Sequence, residues 1–168
     1  YRHVGERLQI VDEAMADDNV GGSRLPWEEV RDWFHLAGNY VDTLDRAAEA
    51  LADRLMGKAI SPSAESIERY LREGLAISLI YSANAGMRDY DAAMGHLIID
   101  QSQPAESQRF QLAHQLVALA LQDDISSVIE RAGLRTASAR QLLFVGLANY
   151  AAGALLMPYA RFREEARN

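Results

Sequence analysis

Apolar residues recur at helical spacing through most of this 168-residue chain, and the places where that period fails mark its elements. Leu8, Val11, Ala14 and Met15 predict a short leading helix over residues 6–16. The run Asp17-Asp18-Asn19 and the triplet Gly21-Gly22-Ser23 then break it with polar, turn-forming residues. Pro26, with Glu28 and Glu29 just behind, has the chemistry of a helix start. From there Val30, Trp33, Ala37, Val41, Leu44, Ala48, Leu51 and Leu55 keep one stripe, which predicts a single long helix over residues 26–56, closed by Gly57. Ser61-Pro62 opens a third helix, with Ile67, Tyr70 and Leu71 inward and Gly74 at its end.

The period then turns extended. Residues 75–82, 88–91 and 96–99 read as three short strands, the last entered through the Met94-Gly95 turn, and together they predict a small antiparallel meander. Beyond Pro104 the chain is helical again: residues 105–122, then 125–131 capped by Asp124, then 137–157. The last of these is apolar nearly all round and is expected to be the buried central helix. Pro158 breaks it, and residues 159–167 read as a polar tail helix. Helices, a small sheet, then helices again make an α+β domain, mostly α. The expected organisation is one domain over residues 1–168, with 1–24 a leading helix and linker and 25–168 the core.

Composition narrows the function. With 49% apolar and 24% charged residues the chain is globular. It has no cysteine, which removes disulfides and every thiolate chemistry from it. Seventeen basic against 24 acidic residues leave a net charge of −7, the wrong sign for a self-sufficient DNA-binding face. Apolar runs such as residues 117–121 are far too short for a membrane span. Lys58 is the single lysine beside sixteen arginines; guanidinium recognition of phosphate or carboxylate is one reading, GC-rich coding the plainer one. The start at Tyr1 rather than methionine suggests a piece of a longer protein.

Metal chemistry is tested by spacing. A zinc peptidase helix carries two histidines at i and i+4 with a glutamate after the first. None of His3, His35, His96 and His114 forms such a pair. His114 comes nearest, but Ala118 stands at i+4 and Gln115, which makes no useful base, follows the histidine.

The segment Arg109-Phe110-Gln111-Leu112-Ala113-His114-Gln115-Leu116 nevertheless resembles the active-site helix of ImmA/IrrE-type zinc peptidases, and Asn149-Tyr150-Ala151-Ala152-Gly153-Ala154-Leu155-Leu156-Met157-Pro158 resembles that family's later helix. Where active members carry a glutamate ligand, Val145, Gly146 and Leu147 precede Ala148-Asn149. The pattern is that of a pseudo-enzyme. A narrower resemblance rests on three motifs: Leu25-Pro26-Trp27-Glu28-Glu29-Val30-Arg31-Asp32-Trp33-Phe34, Asn39-Tyr40-Val41-Asp42, and Gly146-Leu147-Ala148-Asn149-Tyr150. These are similar to bacterial short-chain fatty-acyl transcriptional regulators of the PrpR/RamB type, over nearly the whole chain.

That resemblance implies a degenerate zincin-like sensor region, cytoplasmic and homodimeric. It would bind short-chain acyl-CoA, propionyl-CoA first, and control DNA through a helix-turn-helix domain outside this chain. It implies no catalytic residue, no metal and no cofactor beyond the acyl-CoA effector, and no membrane partner. A short acyl chain needs an apolar slot with a few polar groups, and CoA phosphates need arginines. The candidate ligand-binding residues are therefore Trp33, Tyr40, His114, Asn149, Tyr150 and Arg161, with Arg163 beside the last. The small residues from Gly146 to Ala154 would leave space in the central helix, and Asn149 would be a buried polar group on it. Plain core packing is the more ordinary reading of Trp33, Tyr40, His114 and the small residues. A structural dimerisation module without ligand and a residual metal-dependent hydrolase are the other readings.

Overall fold

The computed structural model describes residues 25–56, 61–83 and 86–157; the expected leading helix, the Gly57 stop, the Pro158 break and the tail helix fall outside them. Pro26 opens α1 (Pro26–Leu36), and the Leu25 backbone N–H donates to the Glu28 carboxylate at 3.4 Å. The predicted long helix is in fact two. Gly38 and Asn39 both adopt left-handed φ, +66° and +57°, and Asn39 N–H donates back to the Phe34 carbonyl at 2.9 Å. Glycine and asparagine are the residues that tolerate this conformation at a helix end. The chain turns and restarts as α2 (Asp42–Met56).

Ser63 Oγ accepts from Ser66 N–H and caps α3 (Ala64–Arg69). The coil then widens into a π turn, Tyr70–Gly74, in which Leu75 N–H reaches the Tyr70 carbonyl at 3.1 Å. The strands are β1 (Ser78–Ser82), β2 (Arg88–Asp91) and β3 (His96–Asp100). The sheet is not the expected antiparallel meander. Its order is β1-β3-β2, with β1 parallel and β2 antiparallel to β3. Burial explains the arrangement: β3, with Leu97 and Ile99 fully buried, takes the middle place. The β2–β3 hairpin is pinned by Asp91 Oδ1, which accepts from Ala93 and Met94 N–H.

Three helices complete the fold: α4 (Ala105–Ala120), α5 (Gln122–Ala132) and α6 (Ala137–Leu156). Gly133, at φ +67°, ends α5, and Thr136 Oγ1 caps α6 by accepting from Ala139 N–H at 3.1 Å. As its all-round apolarity predicts, α6 is central and touches α1, α2, α4 and α5. Leu143, Leu147, Ala148, Ala151, Ala152 and Leu155 on it are fully buried. The fold is α+β and mostly α.

Arginines hold the layers together. Arg109 donates from Nε and Nη2 to the Pro62 carbonyl and from Nη2 to Ser61 Oγ, joining α4 to the segment before α3. Arg88 Nη1 meets both the backbone and side-chain oxygens of Gln111, joining β2 to α4. On the sheet's inner face the Tyr81 hydroxyl donates to Glu68 at 2.6 Å. Burial, then that carboxylate, raises the phenol's pKa.

Candidate functional site

The α1–α2 turn builds a cleft. Because the chain reverses at Gly38-Asn39, Tyr40, Val41, Asp42 and Thr43 come to lie beside Trp33 of α1 and Ala37 just past its end, and face Val128, Arg131 and Ala132 of α5. The space between them is about 280 Å³. Its walls are mainly apolar, with one guanidinium and one carboxylate among them. Trp33 is set by Phe34, edge-on at 5.1 Å between ring centroids. Phe34 in turn is seated on α6 at Gly146, where a Cβ would lie 3.1 Å from its ring. Gly146 thus serves close packing of α1 on α6, and Ala148, Ala151 and Ala152 are likewise filled core positions. The buried small residues of α6 are thus taken up by packing, while Gly153 lies on its exposed side.

Behind the cleft, Tyr150 of α6 ties down the start of α2. Its hydroxyl accepts from Val41 N–H at 3.0 Å and donates to Asp45 Oδ2 at 2.6 Å. Burial, then the bond to Asp45, pushes its pKa up to about 12. At the mouth, the exposed Tyr40 donates to Asp42 Oδ1 at 2.8 Å, and Asp42 also pairs with Arg46 at 2.9 Å. The hydrogen bond to Asp42 raises the Tyr40 phenol's pKa.

The structure therefore brings Trp33, Tyr40 and, one layer behind, Tyr150 to one place. It leaves the others elsewhere. His114 is buried on α4, its ring 6.3 Å from that of Phe110, and does not line the cleft. Asn149 is exposed rather than buried, because it lies one position off the α6 face carrying Ala148, Ala151 and Ala152; no burial cost attaches to it. Arg161 and Arg163 fall outside the described residues. Sequence reasoning missed Asp45, Val128 and Arg131. Arg131, in the last turn of α5 two residues before Gly133, was marked by its position at a helix end; Val128 carried no signal beyond its apolar period.

The zincin donor set is incomplete in this sequence. Of a zincin donor set only His114 is present, with Ala118 and Gln115 where the second ligand and the base would stand and no carboxylate at residues 145–147. Among the described residues no group of three or more His, Asp or Glu side chains is placed to hold a metal ion. None of the described helices is long and apolar enough to cross a membrane.

The model of the IrrE N-terminal-like domain (Peptidase_M78) matches residues 77–168, from the sheet through α6. The chain belongs to the IrrE N-terminal-like family. Among curated proteins it is similar to a propionyl-CoA carboxylase regulator of Cereibacter sphaeroides, 38% identical over 166 residues, which are 99% of this chain and 35% of that protein. The HTH-type transcriptional regulator RamB of Mycobacterium tuberculosis is 32% identical over 173 residues, covering 100% of this chain and 36% of RamB. The PrpR regulator of the same organism is 32% identical over 157 residues, 91% of this chain and 32% of PrpR. A solved Mycobacterium tuberculosis transcriptional regulator superposes with a TM-score of 0.78 at 31% identity, over 85% of this chain and 44% of that one. The expected resemblance to PrpR/RamB-type regulators with an IrrE-type, peptidase-like fold holds. The chain spans about a third of the length of the curated relatives it matches.

Proposed function

We infer that this chain is the ligand-sensing region of a bacterial transcription regulator, and that its ligand is a short-chain acyl-CoA, propionyl-CoA first. The observation that carries the reading is the Trp33–Tyr40–Val128 cleft with Arg131 at its edge, in a chain whose relatives are named as transcriptional regulators, one of them of propionyl-CoA carboxylase. The apolar walls suit a short acyl chain, and Arg131 suits a phosphate of CoA. The reading is a non-enzymatic one, supported by a sequence that keeps one histidine of the zincin pattern but not the second histidine, the general base or the third ligand.

The cleft is built from two sides, the α1–α2 turn and the end of α5. A ligand that binds one spacing of these elements better than another shifts the population between them, and a tenfold preference corresponds to about 1.4 kcal/mol. The readout lies in a helix-turn-helix domain elsewhere in a cytoplasmic homodimer, as paired half-sites on DNA require. Thermal unfolding with acetyl-, propionyl-, butyryl- and free CoA tests the reading. At 100 times its dissociation constant a ligand adds about 2.7 kcal/mol, a rise of roughly 5–10 °C for a domain of this size. The expected result is a rise graded by acyl length. No rise with any of the four contradicts the reading and favours a structural module with a filled core.

A further inference from the structure

A second cleft, of about 320 Å³, opens at the other end of α2 and is lined by Arg54, Leu55, Ser66, Arg69, Tyr70, Glu73 and Gly74. Thr43, in the first cleft, and Arg54 stand eleven positions apart on α2, about 16 Å along the helix axis. The two clefts are therefore separate sites.

Three independent features mark the second cleft. The first is charge: among the described residues Arg54 and Arg69 make no ion pair, whereas neighbouring Arg72 pairs with Glu68 at 3.7 Å. Both guanidiniums border one concavity, which they share with the Glu73 carboxylate, in a chain of net charge −7. The second is backbone. The π turn Tyr70–Gly74 interrupts the α-helical pitch and brings Tyr70, Glu73 and Gly74 onto the same opening. Single π turns recur at functional sites, because the widened coil is retained against the better-packed α form. The third is an open ring face. A Cβ at Gly74 would lie 3.5 Å from Cδ1 and Cε1 of Tyr70, so a larger residue there would lay its side chain across the ring.

We propose that this cleft binds a compact phosphate-bearing ring compound of nucleoside monophosphate size. The guanidiniums of Arg54 and Arg69 take the phosphate, as planar forks suited to its oxygens. The ring stacks on Tyr70 above Leu55, and arginine beside an aromatic face adds cation–π attraction. Ser66 Oγ already donates to the Ser63 carbonyl at 2.8 Å and so offers only its lone pairs, to a ligand hydroxyl. Glu73 offers an acceptor to a sugar hydroxyl or ring amine, and its charge disfavours a second phosphate. The volume sits at the lower end of small-ligand sites, in keeping with one ring and one phosphate.

The test is amide-resolved NMR titration of the 168-residue chain with AMP and, separately, with inorganic phosphate. The expected result is AMP-dependent shifts concentrated at Ser66, Tyr70 and Gly74, with phosphate at least tenfold weaker. Arg54→Gln/Arg69→Gln weakens AMP at least tenfold without moving the unfolding midpoint, since both side chains are exposed. Gly74→Leu removes the ring contribution and brings AMP down to the affinity of phosphate. The proposal is overturned if millimolar AMP leaves these amides unmoved, if the double variant binds AMP as tightly as wild type, or if phosphate matches AMP in wild type.

Discussion

Leu147→Ala is expected to lower the unfolding free energy by about 3 kcal/mol, as a large-to-small change at a fully buried position does. Leu147 is fully buried on α6, the helix against which α1, α2, α4 and α5 all pack. No one neighbour can move in to fill the lost methylenes without leaving another. The cost is therefore the transfer term plus most of the cavity term. For a domain of this length that lowers the midpoint by roughly 10 °C. Calorimetry or circular dichroism melting checks it, and a loss below about 1 kcal/mol would mean that α6 is not the shared core helix.

Tyr150→Phe is expected to cost about 1–3 kcal/mol, the range for leaving a buried or half-buried donor without its partner. The change removes one oxygen and, with it, both bonds that fasten the first turn of α2 to α6: the acceptor for Val41 N–H and the donor to Asp45. Hydrogen exchange at the Val41 amide should quicken while the core of α6 keeps its protection. The pH dependence supplies an independent sign. Folding raises the Tyr150 pKa from near 10 to about 12, so its contribution is whole below pH 10 and is lost as pH climbs towards 12. Wild type should therefore lose more stability than Tyr150→Phe over that interval. Equal midpoints at neutral pH together with parallel alkaline limbs would show that the tyrosine does not anchor the turn.

The described helices were legible because their apolar stripes are long and regular, and α6 announced its central place by being apolar nearly all round. The division of α1 from α2 was not read, because the stripe Val30-Trp33-Ala37-Val41-Leu44 runs on at helical spacing straight through the turn. Gly38-Asn39 carried the stop signal, a local backbone preference that the hydrophobic period masked. The sheet shows a similar limit. Strand positions follow from composition, whereas the insertion of β3 between β1 and β2 depends on which strand buries most, a tertiary competition. In the first cleft, Trp33 and Tyr40 had been singled out through motif resemblance, yet their meeting depends on the unread turn. The expected burial of Asn149 failed for a geometric reason: one step of 100° on a helix separates the buried Ala148 from this exposed neighbour.

The reading of this chain as a sensor stands or falls on the first cleft, and calorimetric titration with propionyl-CoA of wild type beside Trp33→Ala addresses it directly. Trp33 forms a wall of that cleft and is partly buried, so the variant takes the largest apolar surface from the slot, and its retained fold is checked by circular dichroism beside the titration. The account predicts saturable one-to-one binding by wild type, at least tenfold weaker in the variant. Heat of dilution alone from wild type, or equal affinity for the two proteins, would contradict it.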